Sequence, residues 1–412
     1  MTKDVPLRLR ADVMLGRMRD PSSETGPLQV PYLRAANVDD GSLNLGDVKS
    51  MHFDVREQKR YRLLPGDVLV SEASGSRGQV GQSAYVDAAA AGMVFQNTLL
   101  RLRPQPGTDG RFLFWWSRYA FASGLYASAS QGLGIWHLGA ERARGLPFPD
   151  MPTTKQRRVA GFLDDQVALL DRAIRLRQKQ IELLEQRQWS TFLEAVEKVP
   201  FMPLRRVIAF ATDGPFGSAF ASSDYADVGP AVIRLGNIGF AMFKGADLAR
   251  VSEEVWSRFP RCHVREGDLL VASLGDPRNH AGRACLAPDL GPAMVKGKCF
   301  CVRLHGSQAY PDYVALLLSS PLGAQRLAVA TRGATRGMIN LEILRAAALP
   351  LPTRDVQEEI SVRTRAAWRI LNSAMASLAR STQLLEERKQ ALITAAVTGQ
   401  FDVFTASARS VA

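Results

Sequence analysis

The sequence predicts an α+β protein: two similar mixed α/β domains separated by two long helices that form an antiparallel coiled coil, with an internal pseudo-two-fold repeat. Three observations predict it. Blocks of sequence recur at an offset close to 200 residues. Each copy passes from short β-like runs with turn residues into a long stretch free of glycine and proline. Both long stretches carry apolar residues in steps of four and three.

The repeat fixes the organisation. GDVLVS at 66–71 returns as GDLLVA at 267–272, an offset of 201, at which Arg77 meets Arg278 and Gly81 meets Gly282. Arg34 and Asn37 meet Arg234 and Asn237 at an offset of 200. Leu138, Pro147 and Pro149 meet Leu341, Pro350 and Pro352 at 203. The offset then returns to 201, where Gln156 meets Gln357 and LLEQR (183–187) meets LLEER (384–388).

Each copy divides alike. Residues 1–152 and 201–353 form the globular domains; VLVSEA, LLRLRP and GDLLVAS read as strands, FLFWWSRYAFAS and DYVALLLSSPLGAQRLA as short helices. A Pro-x-Pro punctuation (LPFPDMP, LPLPTRD) starts each long helix, 153–200 and 354–404, and residues 405–412 are expected to be a flexible tail. Leu163, Val167, Leu170, Ile174, Ile181 and Leu184 form the apolar stripe of the first helix, with Arg177 interrupting it. Trp368, Leu371, Met375, Leu378, Leu385 and Leu392 form that of the second, interrupted by Thr382 and Lys389. Such a stripe suits a coiled-coil seam; the alternative is an amphipathic helix lying on its own domain.

Composition narrows the function classes. No run of about 18 apolar residues exists, so no membrane span is expected, and the N-terminus lacks the apolar core of a secretion signal. Cys262, Cys285, Cys299 and Cys301 make no CxxC pair and fit a reducing cytoplasm. Lys plus Arg number 52 against 40 acidic residues, a net charge of +12, and 42 of the 52 are arginine. That excess suits a polyanionic partner, although a GC-rich genome also enriches arginine.

Catalytic motifs are missing. GPAMVKGKC (291–299) has one residue too many for a phosphate-cradling loop, and no Asn/Asp-Pro-Pro-aromatic element holds a target amine. GLGIW (132–136) is a weak glycine pattern. Asp54 with Glu57-Gln58-Lys59 is a loose nuclease candidate that a solvated charged turn explains better. Cys262-His263 with His280 and Cys285 match no compact zinc spacing, and Cys299-x-Cys301 alternates as a core strand does. The reading is therefore catalytic residues none, metal none.

Four segments carry a family resemblance. Residues 146–188 resemble the central region of type I restriction-modification specificity subunits, and 349–360 with 384–403 resemble their closing region. GDVLVSEASGSRG and GDLLVASLGDPRN are similar to a strand-loop block of that family's target-recognition domains. SQGLGIWHLGAERARGLPFP and TRGATRGMINLEILRAAALPLP are similar to the block before each helix. The family's usual Glu-Gln pair is Lys155-Gln156 and Val356-Gln357 here.

The resemblance implies a non-catalytic subunit that reads a bipartite target in double-stranded DNA. It implies partners too: two DNA methyltransferase subunits and restriction subunits, with S-adenosylmethionine, ATP and Mg bound by those partners and no cofactor by this chain. The helices would act as spacers and offer surface to the methylation subunits. Candidate DNA contacts are Ser74, Ser76, Arg77, Gln131, Trp136 and His137 in the first copy. In the second they are Arg278, Asn279, His280, Arg332, Thr335, Arg336 and Asn340. Arg and Asn can read base edges bidentately, whereas residues shared by both copies, such as Arg77 and Arg278, suit framework or backbone roles. Two other classes stay open: a stand-alone methyltransferase or nuclease with tandem recognition domains, and a helical adaptor that binds protein alone.

Overall fold

The structure, a computed structural model, describes residues 3–19, 25–216, 219–330 and 337–400. The expected tail at 405–412 lies outside the described residues. The chain forms two compact units, one of residues up to Gln178 and from Ala379 onward, the other Lys179–Leu378. Each unit thus holds one globular repeat with half of each long helix.

The first unit's main sheet is antiparallel, in the order Ala11–Leu15, Leu99–Pro104, Val68–Ser71, Ser83–Tyr85. The second unit repeats that order with Ile208–Asp213, Cys299–Leu304, Leu269–Ala272 and Ala284–Leu286. A three-stranded sheet with one parallel pair accompanies each: Val94–Phe95, Gln29–Leu33, Lys49–His52, and its counterpart Ala293–Val295, Tyr225–Ile233, Ala249–Val251.

The repeated Gly-Asp has a local cause. Gly66 (φ +95°) and Gly267 (φ +80°) each occupy the third position of a turn closed by the Asp67 and Asp268 amides donating to Leu64 O and Arg265 O. The buried carboxylates then pair with an arginine on the neighbouring strand, Arg103 at 2.7 Å and Arg303 at 2.6 Å. A buried charge is tolerable only with such a partner.

The Pro-x-Pro segments are edge strands. Pro147–Pro149 pairs antiparallel with Asp4–Pro6, and Ala348–Pro350 with Phe201–Pro203. This corrects the offset of 203, because Pro149 and Pro350 hold the same register position and the offset stays 201. In a strand a two-residue slip keeps every side chain on its face, so the motif slid by two while Phe148 and Leu349 both stayed buried. Just beyond, Gln156 is fully buried: its Oε1 accepts from Asp109 N, and its Nε2 donates to Gly107 O and Met151 O. Gln357 makes the same three bonds with Tyr310 N, Gln308 O and Pro352 O. One further difference concerns DYVALLLSSPLGAQRLA, which forms two helices, Pro311–Ser319 and Pro321–Ala330. Pro321 forces Ser320 into an extended conformation, ψ 159°.

The long helices are Thr153–Val196 and Arg354–Val397. Within the first unit, Lys389 reaches Asp171 at 2.9 Å, and Leu163 and Val167 share a core with Ile393, Ala396 and Val397. Within the second, Gln188 bonds Asn372 at 3.2 Å and accepts from the Trp368 indole at 2.8 Å. Early residues of one helix meet late residues of the other, which is antiparallel pairing. Leu163, Val167, Ile174 and Trp368 are buried, while Leu170, Ile181, Leu184, Leu371, Met375, Leu378, Leu385 and Leu392 are half-buried. Thr364, standing where the first copy has Leu163, is buried as well.

The helices dock on their domains through an ion pair of opposite polarity in the two copies. Arg111 of the first domain donates to Asp164 of the first helix at 2.8 Å, and the Trp115 indole donates to the same oxygen. At the equivalent positions, Asp312 of the second domain accepts from Arg365 and from Ser361 Oγ of the second helix.

Candidate nucleic-acid interface

In the first unit the two candidate loops form one surface. Ala73–Ser74 pairs with Trp136–His137, so Ser74 sits opposite Trp136. Arg77 Nε donates to Ala127 O at 2.9 Å, and its guanidinium carbon lies 4.9 Å from the Trp136 ring centroid. Gln131 and His137 exchange both backbone hydrogen bonds across a tight turn. Gly132 is required there, since a Cβ on it would lie 1.8 Å from Ile135 O. His137 Nδ1 donates to Glu72 Oε2 at 2.9 Å, and Glu72 Oε1 accepts from Gly139 N at 3.2 Å. Arg142 braces the turn from below, donating to Leu138 O and His137 O. Ser76, Gln131 and His137 remain exposed at the rim.

The second unit builds the same base, Leu274 bridging Met338 as Ala73 pairs with His137, and carries a different loop on it. Ile339 N donates to Ser273 O, as Leu138 N does to Glu72 O. Asp276 Oδ1 accepts from the Arg278 and Asn279 amides and from the Asn279 side chain at 2.8–3.0 Å. Those donors, the Asn279 side chain foremost, hold the Asp276 carboxyl below the usual carboxylate range. The Asn279 amide is thus engaged within its own turn. The two His280 ring nitrogens face Ala281 O at 2.9 Å and Ser319 O at 3.2 Å. Asn340 caps the helix Leu341–Ala346 through Ile343 N. Arg278 is exposed. Arg332, Thr335 and Arg336 lie outside the described residues.

The remaining candidates have structural occupations. Asp54 and Glu57 form a helix capping box, each carboxylate accepting from the other's backbone amide. His263 stacks on Trp256 with centroids 3.8 Å apart, and Cys262, Cys285, Cys299 and Cys301 are buried free thiols. Burial pushes the Cys285 and Cys299 thiols up to about 12. Among the described residues, no group of three or more His, Cys, Asp and Glu could hold a metal. None of the described helices is long and apolar enough to cross a membrane.

Sequence reasoning missed several contributors. Arg283 is buried and donates to the carbonyls of Ile238, Leu235, Leu274 and His280, a clip that Gln82 does not reproduce in the first copy. Arg34 and Arg234, singled out by the repeat, take framework roles and pair with Asp47 and Asp247. Asn37 and Asn237 staple the same turn from inside, each donating to two carbonyls. The first long helix also leaves Leu169, Leu176 and Leu183 exposed by 61%, 59% and 52% at seven-residue steps. Ile370 and Leu384, exposed by 72% and 58%, stand at equivalent places on the second. That heptad was legible in the sequence, outside the buried stripe.

No protein-family model and no curated protein matches the sequence. Among solved structures, a chain from work on complex assembly and conformational transition of the type I R-M system is similar, with a TM-score of 0.72 at 17% identity. The match covers 97% of this chain and 98% of that one. The HsdS subunit from Thermoanaerobacter tengcongensis matches with a TM-score of 0.50 at 17% identity over 97% of each chain. Along nearly its whole length, this chain has the fold of those structures.

Proposed function

We propose that this chain is the specificity subunit of a type I restriction-modification complex. It would read a bipartite DNA target and direct adenine methylation and restriction carried out by partner subunits. Residues 1–152 and 201–353 serve as the two target-recognition domains, and 153–200 and 354–404 as helical spacers. One observation carries the reading: the two copies agree in framework down to single hydrogen bonds, the pairing of Ala73 with His137 matching the bridge of Leu274 to Met338, yet differ in the loop at 75–79 against 276–280. Shared residues cannot specify different half-sites, so discrimination falls to the loops. Ser76, Gln131, His137 and Arg278 are the exposed candidates proposed to meet DNA; Arg77, itself exposed, and the Trp136 ring beside it support them.

The exposed leucine heptads suit docking of the methylation subunits. S-adenosylmethionine, ATP and Mg then belong to the partners, and the site of action is the cytoplasm. The test is reconstitution. The isolated chain, given S-adenosylmethionine or ATP with Mg, is expected to modify and cut no DNA, and added methylation subunits should yield methyladenine in a split target. Stoichiometric methylation by the isolated chain would overturn the proposal. Absence of salt-sensitive binding to DNA would favour an adaptor that binds protein alone.

A further inference from the structure

Both copies carry a basic concavity at the same place in the fold. In the first unit it measures about 440 Å³ and is lined by Arg19, Tyr32, Arg34, Lys49 and Gln96, among others. In the second it measures about 610 Å³ and is lined by Tyr225, Arg234, Lys244, Lys296 and Gly297, with Asp247 at its edge. Arg34 and Arg234 stand in the same stapled turn, and Gln96 and Lys296 are equivalent, their amides donating to Leu33 O and Ile233 O. Each concavity therefore brings three cations beside an aromatic wall.

Three further observations mark these as binding sites. The Arg34 Nε is buried and has no hydrogen-bond partner, although the Arg34 amide donates to Asn37 Oδ1 and the guanidinium pairs with Asp47. An orphan donor of that kind costs free energy that an incoming acceptor recovers. Lys49 and Lys244 are exposed at the mouths. Both concavities adjoin the bases of the candidate reading loops. In the first unit Ala35 N donates to Thr98 Oγ1, and Thr98 O accepts from Glu72, the residue that holds His137. In the second, Lys298 O accepts from Ser273 N, one residue beyond the Lys296-Gly297 wall.

We infer that each concavity holds a backbone phosphate of the DNA duplex beside the half-site its own loops read. This rests on the DNA-reading function proposed above. The ligand class follows from the chemistry. Lysine is a compact point charge suited to phosphate, and Arg34 and Arg234, the cationic position common to both concavities, can anchor but not discriminate. Lys296 is already oriented, donating to the Tyr225 hydroxyl at 2.9 Å and resting on the Phe220 and Tyr225 rings.

The test uses the full chain assembled with its methylation subunits, with Lys49→Ala and Lys244→Ala made singly and together. Affinities for a target duplex and a random duplex are measured between about 50 and 200 mM salt. The slope of log affinity against log salt should fall by about 0.9 per lysine removed, equally on both duplexes. The methylated sequence should stay the same, and Lys49→Arg and Lys244→Arg should retain the parent slope. Unchanged slopes in the alanine variants, with binding intact, would overturn the inference alone. A parent complex that binds DNA without salt dependence would overturn the underlying function as well.

Discussion

Reversing the polarity of one domain–helix ion pair should weaken the protein, and reversing both of its partners should restore most of the loss. Arg111→Asp removes a hydrogen-bonded pair whose side chains are 36% and 34% exposed, so screening leaves it worth about 1 kcal/mol. It also faces Asp164 with a second carboxylate; at about 5 Å and an effective dielectric constant near 20, the repulsion is at most about 3 kcal/mol. Relaxation toward solvent should bring the total to about 2–3 kcal/mol. Asp312→Arg should cost at least as much, since Asp312 is only 19% exposed and also accepts from Ser361. The double variant Arg111→Asp/Asp164→Arg restores the Coulombic attraction but leaves the Trp115 indole without its acceptor, a residual of about 1 kcal/mol. Urea unfolding followed by circular dichroism reads these three differences, together with that of Asp164→Arg alone. Additive single losses, with no recovery in the double variant, would refute the reasoning. If either domain docked on the other helix, Arg111 would meet Arg365 and Asp312 would meet Asp164, so the opposed polarities also favour each domain's own helix.

Gln156→Ala and Gln357→Ala should each cost about 2–3 kcal/mol in urea unfolding, because each leaves a buried amide and carbonyls unpaired; under about 0.5 kcal/mol would contradict the clip. Burial raises the thiol pKa of Cys285 and Cys299 to about 12, so at pH 8 both stay protonated. Iodoacetamide should therefore label neither in the native chain and both in urea, and fast native labelling would count against the core placement. Gly132→Ala should leave the melting temperature within a few degrees of the parent yet degrade recognition of one half-site, read by methylation mapping. An intact methylation pattern would mean that the turn does not touch DNA.

The repeat, the two long helices and their apolar stripes were legible because they rest on periodicity and on the absence of Gly and Pro. The second helix of the 312–328 stretch was not read as separate, although Pro321 marks the break. The offset of 203 arose because Pro-x-Pro matches itself after a two-residue slip, and only strand pairing fixes the register. Arg111–Asp164 against Asp312–Arg365 escaped notice because opposite charges at equivalent positions look like divergence. Asn279, His280 and Asn340 looked available for base contacts, yet the Asp276 carboxylate engages the first, the Ala281 and Ser319 carbonyls the second and the Ile343 amide the third. Short-range capping cannot be told from ligand binding by residue type alone.

The central claim is that each globular copy reads its own half of a split DNA target. Its most direct test replaces residues 201–353 with the corresponding domain of another specificity subunit and maps methylated adenines at base resolution in cells carrying the methylation subunits. The account predicts a target in which one half-sequence changes and the other is retained. Loss of both halves in a properly assembled complex, or retention of the original target, would contradict it.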